Sequence, residues 1–247
     1  MAKILITGSA DGLGHLAARI LVGEGHAVVL HARSQERVRE AMAAVPGSAG
    51  ALVADLADMA QVKALAEQAN ALGRFDAVIH NAGVYDAPPG QILAVNLLAP
   101  YLLTCLMERP ARLVYLTSGL HLHGQARPDA LLKSPPAISY SDSKLYVTML
   151  AMAVARLWPG VAANAVDPGW VPTKMGGPGA PDDLQQGAET QAWLAAGETP
   201  QAVALNGQVL FHKKATRCHP LAGDPAQQQR LLAVCERLTG VAFPTAR

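Results

Sequence analysis

Two side chains near the middle of the chain have types and a spacing that could do proton chemistry. Tyr140 and Lys144 stand four residues apart in ISYSDSKLYV, a segment of helical composition. Residues four apart lie side by side on one face of a helix, so this spacing would place a phenol next to an ammonium group. Such a pair is also common on amphipathic surface helices, where it has no chemical role. Its meaning therefore depends on the rest of the chain.

A group of glycines near the N-terminus forms a second pattern with chemical meaning. Gly8, Gly12 and Gly14 follow the apolar run KILIT and precede a helical stretch. Glycine permits positive φ and lets backbone N–H groups approach a pyrophosphate, which the N-terminus of the following helix attracts. The spacing differs from G-x-G-x-x-G, and a tight turn without a ligand is the alternative. The position between a strand and a helix favours a dinucleotide-binding loop.

The end of the next apolar run bears on which dinucleotide is bound. An acidic side chain there would bind the ribose 2′-hydroxyl of NAD, but AVVLHARS ends in Ala32, Arg33 and Ser34. A guanidinium is a natural partner for a 2′-phosphate. The alternative is that Arg33 is a solvated loop charge. Asp11 in the glycine loop counts against phosphate binding there, because an acid cannot bind a phosphate directly. The pattern favours NADP (NADPH) over NAD.

Composition restricts the kind of protein to which these residues belong. The chain has 247 residues, 51% hydrophobic and 16% charged, enough to bury one large core. Its formal charge of +1 gives no general reason to bind nucleic acid or a membrane. The three cysteines, Cys105, Cys218 and Cys235, lack the spacing of a disulfide framework or a metal site.

Glycines interrupt the N-terminal apolar run too early for the core of a signal peptide. The sequence shows no uninterrupted apolar run that is long enough to cross a bilayer. We therefore expect a cytoplasmic protein whose partner is a small molecule, with no metal, nucleic acid or membrane.

Strand and helix signals alternate along the first half of the chain. Short apolar runs (KILIT, AVVLHA, ALVAD, DAVIHNAG and RLVYLTSG) are separated by Ala- and Leu-rich stretches, among them 59–72 and about 92–107. This alternation indicates βαβ units, and hence a parallel sheet with helices on both faces. The predicted fold is α/β, a doubly wound Rossmann-type sheet of about seven strands in a single domain.

The second half of the chain is predicted in less detail. A long helix is expected from Tyr140 to about Leu157, where Trp158-Pro159-Gly160 would end it, followed by strands at 161–166 and near 208–212. The irregular segments 121–136 and 176–181 are either function-bearing loops or plain connections. Five of the six residues in 176–181 are Gly or Pro, so this part of a substrate-loop region at about 170–200 is a candidate lid.

Seven short motifs occur in an order that resembles one known family. They are TGSADGLG from Thr7, Asp55-Leu56, NAG at 81–83, VN at Asn96, TSG at Ser118, YSDSK from Tyr140, and DPGWVPT over 167–173. Each is unspecific, but together they resemble the short-chain dehydrogenase/reductase family in its short single-domain branch, over about residues 3–175. The long segment after Ser118 is most similar to retinol-dehydrogenase-like and carbonyl-reductase-like members. Beyond Thr173 the resemblance fades.

The resemblance implies a catalytic role for four side chains. Family members move a hydride between a nicotinamide and a carbonyl or alcohol carbon, and Tyr140 matches the tyrosine that exchanges the proton. Lys144 at about 5 Å, worth ~3 kcal/mol at an effective dielectric near 20, would lower the phenol pKa by roughly two units before desolvation raises it part of the way back. Ser118 would bind the substrate oxygen, and Asn96 would hold a water on the proton path. Taken singly, Ser118 and Asn96 could instead be structural.

The resemblance also implies the residues that bind the cofactor. Lys144 would hold the ribose hydroxyls of the nicotinamide and Thr173 its carboxamide, whereas Pro168 and Gly169 would open the loop or form a plain turn. Asp55 would lie near the adenine, although it could equally cap the following helix. The full predicted set is Thr7, Gly8, Ser9, Asp11, Gly12, Leu13, Gly14, Arg33, Ser34, Asp55, Leu56, Asn81, Ala82, Gly83, Tyr140, Lys144, Pro168, Gly169, Val171 and Thr173.

These features together predict an NADP(H)-dependent oxidoreductase of carbonyl and alcohol groups. Trp170, Val171, Pro172 and Met175 favour a hydrophobic substrate, unless they only pack the loop, and His121 is a candidate substrate contact with a plain loop position as its alternative. One rival is a catalytically silent NADP-binding sensor or scaffold protein. Another is a sugar-nucleotide epimerase or dehydratase, for which the chain is short. Monomer and homo-oligomer (dimer or tetramer) both stay open.

Overall fold

Eight strands form one sheet in the part of the chain that the computed structural model describes, residues 1–244. They are β1 (Lys3–Ile6), β2 (Ala27–Ala32), β3 (Gly50–Val53), β4 (Ala77–His80), β5 (Arg112–Leu116), β6 (Ala162–Asp167), β7 (Val209–Phe211) and β8 (Lys214–Ala215). Their order is β3-β2-β1-β4-β5-β6-β7-β8. All neighbours run parallel except β8, which is antiparallel to β7. The predicted doubly wound α/β sheet is confirmed, and the estimate of about seven strands missed only the two-residue β8.

Helices lie between the strands and cover both faces of the sheet. They are α1 (Gly12–Gly23), α2 (Gln35–Ala44), α3 (Met59–Ala71), α4 (Pro89–Leu93), α5 (Ala99–Leu106), α6 (Tyr140–Leu157), α7 (Leu184–Ala196), α8 (Pro200–Ala204) and α9 (Pro225–Thr239). A π-helix, Ala94–Leu98, joins α4 to α5. The irregular segment 121–136 overlaps two short 3₁₀ helices, Gly119–His123 and Pro128–Leu132. The sequence analysis predicted no helix in the region of α7 to α9.

The core divides into two clusters, one on each face of the sheet. Successive side chains of a strand point to opposite faces, so Leu5 of β1 belongs to one cluster while Ile4 and Ile6 belong to the other. The cluster around Leu5 includes residues of α3, α5, α6 and α9. The second cluster includes residues of α1 and α7. Burial of both faces explains why the strands read as continuous apolar runs.

One stretch of the chain corrects the expectation that nothing is apolar and long enough to cross a membrane. Pro89–Leu106 meets that criterion by length and composition, with a mean hydropathy of 1.4. However, 67% of it is buried inside the fold, and α5 packs against α3. We describe it as a core helix interrupted by the π-helix.

The long helix α6 begins and ends where the sequence predicts. Ser139 is its N-cap and forms a reciprocal pair with Asp142: the Asp142 N–H donates to Ser139 Oγ (3.1 Å), and the Ser139 N–H donates to Asp142 Oδ2 (2.9 Å). Such a capping box satisfies N–H groups that the first helical turn leaves free. Trp158 ends the helix as its C-cap. The cap fixes Tyr140 as the first helical residue, at the carboxyl edge of the sheet.

Candidate active site

A cavity of about 630 Å³ opens at the carboxyl ends of the parallel strands. Ligands of doubly wound sheets bind at this edge. Fourteen of the predicted site residues line the cavity: Gly8, Asp11, Gly12, Leu13, Arg33, Asp55, Leu56, Asn81, Ala82, Gly83, Tyr140, Lys144, Pro168 and Thr173. The fold thus brings together motifs that are widely separated in the sequence.

Helix α6 places the side chains of Tyr140 and Lys144 next to each other. Lys144 Nζ lies 5.4 Å from the centroid of the Tyr140 ring and donates to the carbonyl of Leu116 at 2.8 Å. The Lys144 carbonyl accepts hydrogen bonds from Thr117 Oγ1 (2.9 Å) and Thr148 Oγ1 (2.8 Å). The bonds with Leu116 and Thr117 attach the helix to the end of β5. An ammonium has three N–H donors, so two more are available for a ligand in the cavity.

Burial sets the pKa values of this pair in a way that corrects the sequence analysis. Desolvation raises the pKa of Tyr140 to about 12, opposed by a hydrogen bond with Ser118 and reinforced by the charge of Asp167. Desolvation also lowers the pKa of Lys144 to about 8, partly offset by Asp167. The lysine therefore loses its proton at a lower pH than the phenol does, and it is charged at pH 7. Desolvation of the phenol outweighs the field of the nearby ammonium, which is why the predicted net decrease of the Tyr140 pKa is wrong.

Ser118 and His121 form one unit beside Tyr140. Ser118 follows β5 and caps the short helix Gly119–His123 by accepting from the Leu120 N–H at 3.3 Å. The carbonyl of Ser118 accepts from His121 Nδ1 at 2.7 Å. The His121 side chain is buried, 1% exposed, and does not line the cavity. His121 thus packs behind Ser118, and burial lowers its pKa.

Asn96 lies in the π-helix, a distortion that is frequent at functional sites. Its Oδ1 accepts from the Val84 N–H (2.8 Å), and its Nδ2 donates to the Val84 carbonyl (2.9 Å) and to Ser143 Oγ (3.0 Å). The Ser143 hydroxyl in turn donates to the carbonyl of Tyr140 at 2.7 Å. The side chain of Asn96 therefore connects the loop after β4 to the first turn of α6. The role of Asn96 in holding a water stays a prediction.

The glycine loop has the close contacts expected of a phosphate-binding turn. Gly8 and Gly12 have positive φ, +65° and +54°. A Cβ on Gly14 would lie 2.4 Å from Asn81 Nδ2, which donates to the carbonyls of Thr7 (2.9 Å) and Gly8 (3.1 Å). Side chains at these positions would disrupt the loop. Asn81 thus supports the loop from beneath.

Three charged side chains surround the open end of the glycine loop. Asp11 caps α1 by accepting from the Gly12 N–H at 2.9 Å. It also forms ion pairs with Lys174 and with Arg37, the latter at 3.4 Å. The hydrogen bond from Lys174 is the largest cause of the lowered pKa of Asp11. Asp11 therefore has a structural role that the sequence analysis missed, and Arg33 lines the same cavity.

The remaining predicted cofactor residues lie around the cavity without lining it. Ser34 caps α2 by accepting from the Arg37 N–H at 3.3 Å. Asp55, which does line the cavity, accepts from the Ala57 N–H (2.9 Å), whereas the N-cap of α3 is Asp58, so the alternative capping role of Asp55 is wrong. The predicted residues outside the lining are Thr7, Ser9, Gly14, Ser34, Gly169 and Val171, together with the catalytic candidates Asn96 and Ser118.

Several residues that line the cavity were not predicted from the sequence. They are Ala10, His31, Ala32, Arg37, Ala54, Val84, Gln91, Val95, Leu116, Thr117 and Lys174, whereas Met175, which also lines the cavity, was expected on the apolar substrate side. Arg37 stands four residues after Arg33 in the sequence, and this spacing could have identified it as a second candidate arginine. Lys174 immediately follows Thr173, so its position at the site could also have been predicted. Nothing in the sequence distinguishes Gln91 or Val95 from other helix residues.

The mouth of the site is apolar. Met175 Sδ is 4.0 Å from the Tyr140 hydroxyl, and the Tyr85 ring meets the Tyr140 ring edge-on with centroids 4.7 Å apart. The Trp170 side chain is 60% exposed, with its indole N–H donating to the Gly176 carbonyl at 2.8 Å. Exposed large apolar groups beside a cavity are typical of a ligand-binding surface.

The fold and the glycine loop together define a Rossmann-type dinucleotide-binding protein, and the cavity fits that ligand in its position and close backbone approach. The short chain dehydrogenase family profile matches residues 2–109. The short-chain dehydrogenase chyC of Penicillium rubens is 43% identical over 263 residues, which cover 99% of this chain and 100% of that protein. The chain therefore belongs to the short-chain dehydrogenase/reductase family of oxidoreductases, whose fold binds a nicotinamide cofactor.

Solved structures of low sequence identity share the fold. An uncharacterized protein from Mycobacterium paratuberculosis has a TM-score of 0.80 at 21% identity, over 99% of this chain and 95% of that one. A blue fluorescent protein from a metagenomic library, in complex with NADPH, has a TM-score of 0.69 at 22% identity, over 85% of this chain and 95% of that one.

Proposed function

We propose that this protein is an NADP(H)-dependent oxidoreductase that interconverts a carbonyl compound and its alcohol, with Tyr140 as the proton donor and acceptor. The observation that carries the proposal is the buried pair: Lys144 Nζ lies 5.4 Å from the centroid of the Tyr140 ring, at the wall of the cavity that the glycine loop also lines. A proton donor beside a dinucleotide site is what carbonyl reduction requires. A bound nicotinamide would supply or accept the hydride.

Each of the four catalytic candidates has a distinct task in this proposal. The Tyr140 hydroxyl gives its proton to the substrate oxygen during reduction, and its raised pKa keeps it protonated at neutral pH. Ser118, which hydrogen-bonds Tyr140, stabilises the negative charge that develops on that oxygen. Lys144 holds ribose hydroxyls through the N–H groups that Leu116 does not use. Asn96 holds the loop containing Gly83 against α6.

The arginines beside the cavity support NADP rather than NAD. Arg33 and Arg37 both line the cavity, and Arg37 also donates to the Ala10 carbonyl at 3.4 Å. No carboxylate stands at the end of β2, where an acid would bind a ribose 2′-hydroxyl. Two guanidinium groups suit a 2′-phosphate. A structural relative is described in complex with NADPH, which agrees with this assignment.

The cofactor assignment is tested by titrating purified protein with NADPH and NADH separately. We expect Arg33→Ala to weaken NADPH binding at least about tenfold, as expected for the loss of a charged contact worth ~1.5 kcal/mol or more, and to leave NADH affinity within about twofold. Arg39→Ala, which changes an exposed arginine of α2 outside the cavity, is the matched control. Equal affinity of the unaltered protein for NADPH and NADH would remove the case for Arg33.

The catalytic assignment is tested on a panel of ketones and aldehydes by following NADPH oxidation. Because Met175 and Tyr85 border the Tyr140 hydroxyl, we propose that hydrophobic carbonyl compounds are the best substrates. We expect Tyr140→Phe to abolish turnover while NADPH affinity stays within about twofold, since the phenol acts on the reacting oxygen. Stoichiometric NADPH binding without turnover of any carbonyl compound would identify a sensor or scaffold protein instead.

A further inference from the structure

His31, at the carboxyl end of β2, lies directly behind the glycine loop and uses both ring nitrogens. The Gly8 N–H donates to Nδ1 at 3.0 Å, and Nε2 is 3.1 Å from the carbonyl oxygen of Ala54. A carbonyl can only accept, so Nε2 carries the proton and Nδ1 is the acceptor. The side chain is 3% exposed and borders the cavity. The two bonds therefore require one tautomer of a neutral imidazole.

The backbone of the same residue holds the next residue of the loop. The Ser9 N–H donates to the His31 carbonyl at 3.0 Å, and the His31 N–H donates to Ser9 Oγ at 2.8 Å. On the other side, Asn81 Nδ2 donates to the Gly8 carbonyl at 3.1 Å. The peptide groups around Gly8 are thus fixed by hydrogen bonds from the ends of two strands, β2 and β4. The side chains of His31 and Asn81 both bond Gly8, whose φ of +65° is in the left-handed region.

We infer that His31 is a positioning residue for the dinucleotide: its neutral Nε2–H tautomer holds the glycine loop in the conformation that receives the phosphates. This inference rests on the proposed function of the cavity. A loop that is already ordered has less conformational freedom to lose when its ligand binds. Asp55 is the charged group whose field reaches the ring. Burial in this position keeps the imidazole neutral, as the two hydrogen bonds require.

The test compares two substitutions that differ in one hydrogen bond. In His31→Asn, the side-chain oxygen can accept from the Gly8 N–H, whereas in His31→Leu no acceptor is present. His80→Leu is the matched control, because His80 is also 3% exposed at the end of a strand but bonds Thr104 rather than the loop. The readouts are the NADPH dissociation constant, the thermal midpoint without ligand, and kcat at saturating NADPH.

We expect His31→Leu to weaken NADPH binding about tenfold or more with kcat within about twofold, and His31→Asn to recover most of the affinity. His80→Leu should leave the NADPH affinity within about twofold. Unchanged affinity in His31→Leu, equal losses in the Leu and Asn variants, or an equal loss in the His80 control would overturn the inference.

A measurement on the unaltered protein keeps the inference testable even if a variant does not fold. The ¹⁵N chemical shifts of the His31 ring report which nitrogen carries the proton. A protonated Nδ1 would overturn the inference, because that nitrogen could not accept from Gly8. Absence of any binding of NADPH or NADH to the unaltered protein would instead refute the proposed function, so the two failures are distinguishable.

Discussion

Replacing Lys144 by Met removes a buried charge from the side of Tyr140 while keeping a long side chain. The ammonium lies 5.4 Å from the centroid of the phenol ring. Taking this as the charge separation, a charged lysine favours the phenolate by ~3 kcal/mol at an effective dielectric near 20. That free energy corresponds to roughly two pKa units, or about a hundredfold in the phenolate population. Alcohol oxidation, which requires Tyr140 to lose its proton, should therefore slow by about this factor at pH 7.

The pH dependence separates the charge of Lys144 from its other contacts. The pKa of Lys144 is lowered to about 8, so its charge is present below that pH and is lost as the pH rises through it. Alcohol oxidation is measured from pH 6 to 10 at saturating NADP⁺ for the unaltered protein, Lys144→Met, and the exposed control Lys133→Met. We expect the ratio of the oxidation rate of the unaltered protein to that of Lys144→Met to be largest at low pH. This rate ratio should shrink at least about fivefold by pH 10. A rate ratio that is constant with pH would refute the electrostatic reasoning, because packing or ribose contacts do not titrate.

Three further changes test the surroundings of this pair. Gly83→Ala places a methyl group 3.3 Å from Lys144 Nζ and 3.4 Å from Asn96 Oδ1, so we expect kcat to fall about tenfold, with Gly90→Ala as the unhindered control in a kinetic assay. Asn96→Ala leaves the Val84 N–H and carbonyl unpaired, which should lower the free energy of unfolding by about 2–4 kcal/mol in urea denaturation; a loss below ~1 kcal/mol would contradict this role. Burial lowers the pKa of His31 to about 4, so at pH 5 the unfolded chain binds a proton that the folded chain does not. Between pH 7 and pH 5 this residue should therefore lower the free energy of unfolding by about 2 kcal/mol. That loss should be absent from His31→Asn.

The parts of the site that could be predicted from the sequence are those that local chemistry determines. Ser139 and Asp142 have the types and spacing of a helix cap, so the start of α6 and the shared face of Tyr140 and Lys144 could be predicted. The glycine loop could also be predicted from the sequence, because a strand, a positive-φ turn and a helix follow one another without interruption. Each of these predictions depends on residues that are close in sequence.

The parts that could not be predicted depend on contacts between distant segments. Asp11 and Lys174 are 163 positions apart, and only the fold shows that the acid in the glycine loop is held by a base from the loop after β6. His31 looks like an ordinary strand residue until its ring is seen beneath Gly8. Asp55 and Asp58 both precede α3, and only the geometry distinguishes the capping residue from the cavity residue.

The pKa values of the catalytic pair show why proximity alone was an insufficient argument. A phenol beside an ammonium is more acidic only while the ammonium keeps its proton, and burial works against the charge of both groups. With the pKa of Lys144 at about 8 and that of Tyr140 at about 12, the lysine loses its proton at the lower pH, so its assistance to the tyrosine is confined to pH values below about 8. Negative charge near Lys144 would raise its pKa and move upward the pH at which this assistance is lost. A dinucleotide carries such charge on its phosphates, so the binding of the anionic cofactor and the acidity of Tyr140 are physically coupled.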